Sequence, residues 1–144
     1  MTDPDLLYRT SDITAAAADL LEQELPSSTD VATDTLPEGI AAPYVLVTGR
    51  SPALSGPPMA GDQQAQHTLT VISVGTNAQQ AKMLGDLNRY LLLGRDSDGA
   101  FLHELVLEGR KVIARGGGTD GAPDAPGGLQ QWIETYTLLV ARST

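Results

Sequence analysis

The chain of 144 residues contains no cysteine. Neither a disulfide framework nor a thiolate metal site can therefore be built from it. Positive charge is scarce as well: nine Lys and Arg stand against 18 Asp and Glu, a formal net charge of −9. The basic residues are scattered along the chain, which argues against sequence-independent binding to nucleic acid phosphates. No apolar run approaches the length of a membrane span, and the N-terminus is acidic where a signal peptide would be basic. A soluble intracellular protein is expected, with no membrane partner. Aromatics are few, with a single Trp and a single Phe, so an aliphatic core is expected. The length fits one domain, residues 1–144, able to bury a core without staples.

What is present centres on the stretch Gln66 to Leu93. Gln66 to Val74 is rich in Thr, Val and Ile, which suits a half-buried strand, and Gly75 breaks it. Thr76 then stands as a helix N-cap with Gln79 three positions on, the spacing of a capping box. Met83, Leu84, Leu87 and Leu91 recur at helical spacing, with Lys82, Asp86 and Arg89 on the opposite face. Gly94 follows as a left-handed stop.

Around this unit the chain reads in order. Ser11 or Asp12 can cap a first helix whose stripe is Ile13, Ala17, Leu20 and Leu21, ended at Leu25-Pro26. Ser27 to Ala42 reads as loop, and Tyr44 to Thr48 as a strand. Gly49 to Ala65 reads as a long Gly- and Pro-containing arm between two strands that should be antiparallel neighbours. Asp96-Ser97-Asp98-Gly99 is a turn, since a calcium loop would need a later glycine and a closing glutamate. His103 to Glu108 alternates as a strand, and Gly109-Arg110 can turn it into a second strand over Lys111 to Arg115. Gly116 to Gly128 reads as a flexible projecting loop. In the closing strand Gln130 to Ala141, Trp132, Glu134, Tyr136, Leu138 and Val140 share one face, with Ile133, Thr135, Thr137 and Leu139 on the other. The economical architecture is α+β: a two-layer sandwich of a mostly antiparallel sheet with two helices on one face and long projecting loops. The uncovered face would carry Thr, Glu and Tyr mixed with apolar residues, a pattern that invites a partner.

Few residues suggest chemistry. Gly116-Gly117-Gly118 lacks the Lys and Ser/Thr of a phosphate loop, and no helix opens after it. His67 and His103 with Glu104 form the one set that can be imagined binding a small ligand or a metal, or performing hydrolysis, but no spacing supports it. No catalytic residue, cofactor or metal site is expected, and the chain does not read as an enzyme. Trp132 either caps one end of the core or anchors an interface, where Trp is enriched.

Three blocks carry a family resemblance: Tyr44-Val45-Leu46-Val47, Ser55-Gly56-Pro57-Pro58, and Thr70-Val71-Ile72-Ser73-Val74-Gly75-Thr76-Asn77-Ala78-Gln79-Gln80-Ala81. With the Gly-rich stretch before the closing strand, the chain from about Thr10 to Arg142 resembles the tail terminator, or tail completion, proteins of long-tailed (siphovirus-type) phages of actinobacteria. The resemblance implies a non-enzymatic virion protein at the head-proximal end of the tail, assembled in the host cytoplasm. It implies a hexameric ring that ends polymerisation of the major tail tube protein and offers a surface to the head-completion or stopper protein. DNA then passes through the lumen without specific binding. A stopper of the same neck is the nearest alternative. Leu54, Pro57 and Met59 on the arm, with Arg115, Trp132 and Tyr136, are the expected contacts with other subunits or partners.

Overall fold

The computed structural model describes residue 7 and residues 9–50, 52–55, 64–121 and 129–142, with backbone only at 54–55 and 119–121. Helix α1 (Thr10–Glu24) buries Ile13, Thr14, Ala17, Ala18, Leu20 and Leu21, the expected stripe widened by its small neighbours. Its end is also as expected: Leu25, held before Pro26, takes an extended conformation. Its start differs. Arg9 occupies the N-cap position without a side-chain cap, and Asp12 pairs instead with Arg110 at 2.9 Å.

Strand β1 (Asp30–Thr33) lies inside the segment read as loop and runs parallel to β2 (Tyr44–Gly49). β2 pairs antiparallel with β4 (Gln64–Gly75), as expected of the strands flanking the arm. The arm is not irregular at its base. β3 (Ala53–Ser55) pairs with Gln64–Gln66, which pair on their other side with β6, so the base of the arm belongs to the sheet; residues 56–63 lie outside the described residues. After helix α2 (Ala78–Leu93), β5 (Arg110–Gly121) and β6 (Gln130–Arg142) complete the sheet in the order β1-β2-β4-β6-β5.

Two readings of the connection to β5 need correction. His103–Glu108 does not form a strand; Leu105 and Leu107 are buried in the core, and the chain turns at Glu108-Gly109 rather than at Gly109-Arg110. Gly116–Gly121, read as part of a flexible loop, continues β5, paired with Thr137 through Ile133. Glycine has low strand propensity, but at Gly117 packing requires it: a Cβ would stand 2.7 Å from the ring of Tyr136 and 3.2 Å from Leu93. Residues 122–128 lie outside the described residues.

At α2 the cap is displaced by one residue. Asn77, not Thr76, accepts the Gln80 N–H on Oδ1 at 2.8 Å, and Gln80 Oε1 reaches back to the Thr76 N–H at 2.8 Å. Gly94 is extended, not left-handed; its glycine is needed because a Cβ would meet the Tyr90 carbonyl oxygen at 2.3 Å. Met83, placed on the apolar stripe, is 52% exposed, and the stripe turns toward Ala81, Gly85 and Asn88.

Cross-strand register sorts the sheet into two faces. On one, β2, β4 and β6 align Val45–Ser73–Trp132, Val47–Val71–Glu134 and Gly49–Leu69–Tyr136. Both helices cover this face. α1 presses on Gly49, where a Cβ would meet Thr14, and α2 lies on β6 with Gly85 directly over Trp132. The core between the layers is aliphatic apart from Tyr136. The expected α+β sandwich with both helices on one side is the observed architecture.

The Gly85 contact sets the distance between α2 and the sheet. An added Cβ would lie 2.2 Å from Trp132 Cδ1, near the root of the indole, where the ring cannot swing aside freely. Gly85→Ala is therefore expected to destabilise by about 1–2 kcal/mol in urea unfolding, although Ala is the better helix former by about 1 kcal/mol. Gly118→Ala, where nothing lies within 4 Å of the new atom, should leave the midpoint nearly unchanged.

Candidate assembly surface

The other face of the sheet has no helix over it among the described residues. Its side chains follow from the same register. At one end Tyr44–Val74–Gln131 and Leu46–Ile72–Ile133 form two largely apolar rows. Thr48–Thr70–Thr135 makes the central row, which continues to Gly118 on β5, and Thr68–Thr137–Gly116 lies beyond it. All except the buried Val74 and the exposed Gly118 are half-buried, so the surface is neither a core nor an ordinary wet face. At the apolar end Leu36 and Leu129 fold over Leu46 and Ile72 to form a cavity of about 360 Å³, edged by Tyr44 and Gln131. The β-branched residues of these rows are stiff at χ1 and lose little side-chain entropy when covered.

Groups that resemble catalytic machinery lie on the opposite, helix-covered face and are enclosed. Glu134 is 1% exposed; it pairs with Arg89 of α2 and accepts a hydrogen bond from the Tyr136 hydroxyl at 3.1 Å. Burial first, and then the Glu134 charge, push the Tyr136 phenol far above its ordinary pKa. It serves as a neutral donor. Beside it Asn88 donates to Ser73 Oγ at 2.7 Å, extending a polar layer between α2 and the sheet. His67 is fully buried, and its Nε2 lies 2.9 Å from the Leu7 carbonyl. A carbonyl only accepts, so this nitrogen carries the proton of a neutral ring. Burial holds the His67 pKa below its ordinary value, with nearby Arg110 acting in the same direction. A side chain so enclosed reaches no substrate; of its imagined partners, His103 is half-buried and Glu104 exposed on the connection before β5, and no group of three such side chains is placed to hold a metal among the described residues.

The expected contact residues fare unevenly. Tyr136, 1% exposed, is a core residue and offers nothing to a partner; its alternation on β6 was readable, but not which side the helices would take. Trp132 is half-buried beneath Gly85, with Lys82 Nζ 5.7 Å from its ring centroid. Arg115 is also turned inward. It donates to the Leu92 carbonyl at 2.9 Å and the His103 carbonyl at 2.7 Å, and stacks on Phe101 at 4.1 Å, clamping the α2–β5 connection. Leu54 belongs to β3, while Pro57 and Met59 lie outside the described residues. The open-face residues Leu46, Ile72 and Ile133 lie on three strands far apart in the sequence, so no local pattern marks them as a site. Only the register puts them in one row.

No protein-family model matches the chain, and no curated protein matches it in sequence. Among solved structures it is similar to a chain of the virion of a native gene transfer agent particle. The TM-score is 0.69 at 16% identity, covering 92% of this chain and 98% of that one. At that identity the likeness is one of fold, and it extends over nearly the whole of both chains.

Two measurements probe the enclosed groups. Arg89→Ala strands the Glu134 carboxylate and is expected to cost about 2 kcal/mol, less than the roughly 3–5 kcal/mol of a fully buried pair because Arg89 is 44% exposed. Combining it with Glu134→Gln should recover most of that loss in a double-mutant cycle. For His67, the unfolded chain takes up a proton below pH 6.5 that the folded chain resists, so folding stability rises with pH across this window. The contribution is fully present above that value and is lost as pH falls below it. His67→Gln keeps a donor for Leu7 and should flatten the acid-side slope by up to about 1.4 kcal/mol per pH unit. Urea midpoints at successive pH values between 7.5 and 5 check this; equal slopes would refute it.

Proposed function

We propose that this chain is a structural subunit of a tailed virion: a tail terminator that assembles as a ring, ends polymerisation of the tail tube and presents the surface to which the head joins. The observation that carries this reading is the uncovered sheet face, with its rows of Leu46, Ile72 and Ile133 merging into threonine. A partly apolar face of this kind is stable in water chiefly when a neighbour covers it. A closed ring of copies leaves no open end, and projecting segments of its subunits or of the tube can cover this face. The whole-length fold likeness to a virion component supports the same reading.

The remaining features agree with a conduit for DNA. The net charge of −9 repels phosphates, which favours passage without adhesion. Between β3 and β4 the sequence runs through an arm that includes Pro57 and Met59, and we assign that arm the role of reaching an adjacent subunit or the tube. A hexamer is the stoichiometry the family resemblance implies. A stopper at the same neck remains the second reading, since the same exposed face suits either position.

Light scattering of the purified protein, with electron microscopy of tail tubes polymerised in its presence, tests the proposal. The expected result is a ring-sized mass and tubes of limited length with one end capped. Ile72→Glu, at a half-exposed position, should retain the folded circular dichroism spectrum while abolishing capping. Unlimited tube growth in the presence of the unmodified protein would refute the terminator assignment.

A further inference from the structure

Among the described residues the edge strands are β1, β3 and β5, and the two that end the main strand order, β1 and β5, differ in kind. β1 is four residues long; β5 is twelve. Long exposed edges template pairing with other chains, and proteins usually blunt them with charge, proline or bulges. β5 has register irregularities between Val112 and Ala114 and between Thr119 and Gly121. Between them runs Ala114-Arg115-Gly116-Gly117-Gly118, whose only long side chain is turned inward onto Leu92 and His103. A Cβ on Gly118 would meet nothing within 4 Å among the described residues, so no contact there explains that glycine. At the other edge a groove of about 540 Å³ lies against β1, between Glu22 of α1 and the Pro37–Ile40 loop, with Asp30 and Val31 in its wall.

We propose that these two edges pair with each other between adjacent copies, β5 of one against β1 of the next, so that the ring closes as one continuous sheet. This rests on the ring reading above and specifies its contact. The strand directions allow it. β1 and β2 are parallel, and each later step across β4, β6 and β5 is antiparallel, so β5 runs opposite to β1. Copies related by rotation about an axis along the strands therefore bring β5 and the neighbour's β1 together antiparallel, in the stronger ladder geometry.

Parity then selects the register. Val31 and Thr33 pair with Val45 and Val47 on the helix-covered side; Arg115 and Gly117 pair with Leu138 and Tyr136 on that same side. Keeping the two layers continuous places Asp30 opposite Gly118, Val31 opposite Gly117, Ala32 opposite Gly116 and Thr33 opposite Arg115. A slip of one residue would turn the helix-covered side of one copy toward the open side of the next. A slip of two in either direction runs into one of the two irregularities in β5.

The absence of native cysteine makes the register directly testable. Facing residues of an antiparallel pair have Cα atoms about 4.5–5.5 Å apart, within disulfide reach. The double variant Asp30→Cys with Gly118→Cys, at two exposed positions, is expected to oxidise into a ladder of covalent oligomers ending at the ring mass. Asp30→Cys with Lys111→Cys, displaced by about 23 Å along the strand at roughly 3.3 Å per residue, should not. In the unmodified protein, alternate backbone amides across Ala114–Gly118 should exchange at least tenfold more slowly in the ring than in the diluted subunit, which decides the matter if the variants misfold. A ring by light scattering without the ladder, with equal cross-linking from the displaced pair, or with unchanged exchange overturns the edge pairing and leaves the ring reading standing. A monomer at every concentration overturns both.

Discussion

The antiparallel ladder between β4 and β6 is the constraint on which the rest depends. It runs from Gln64 opposite Ala141 to Gly75 opposite Gln130 without a break. Because side chains alternate across a strand, this pairing decides at once which residues of both strands face the helices. Leu69, Val71, Tyr136 and Leu138 are sealed beneath α1 and α2, while Ile72, Ile133 and the threonines remain outside. A slip of one residue would expose the core and bury the threonine rows. β2 and β5 inherit the same alternation from their pairing with β4 and β6.

Under that constraint, the ionisable groups most suggestive of chemistry become structural. Glu134 falls on the helix-covered side, where an unpaired carboxylate would be costly, and Arg89 and the Tyr136 hydroxyl satisfy it. His67 falls on the same side and ties the N-terminal segment to β4 through the Leu7 carbonyl. Arg115, at the edge of that layer, holds the end of α2 and the following connection together with Phe101 between its guanidinium and that of Arg95. The open side carries instead the half-buried rows of Leu46, Ile72, Ile133 and the threonines. The functional reading accordingly rests on surfaces.

Some of this was legible in local sequence. The apolar stripe of α1, its termination before Pro26, the alternation of β6 and the antiparallel relation of β2 to β4 each follow from periodicity or from a single stereochemical rule. Other features were illegible for identifiable reasons. β1 is short and reads Asp-Val-Ala-Thr, with too little hydrophobic contrast to stand out from a polar loop. Gly116–Gly118 has the composition of a loop, and only the Tyr136 ring beside Gly117 explains a strand there. The displaced α2 cap turned on a choice between adjacent residues, Thr76 and Asn77, both competent as caps.

The sequence by itself determined the elements whose information is contained within about one turn or one strand: two amphipathic helices, the alternating strands, and the lack of any thiol or basic cluster. Spacing along one segment suffices for these, because each depends on a residue's relation to its near neighbours. Only the tertiary structure decided which face of β6 is inside, and hence that Tyr136 is core while Ile133 lies on the open face. It also decided that the two ends of the sheet carry strands of opposite direction. Those outcomes depend on pairings between residues dozens of positions apart, and no local pattern encodes which side of a sheet the helices will cover.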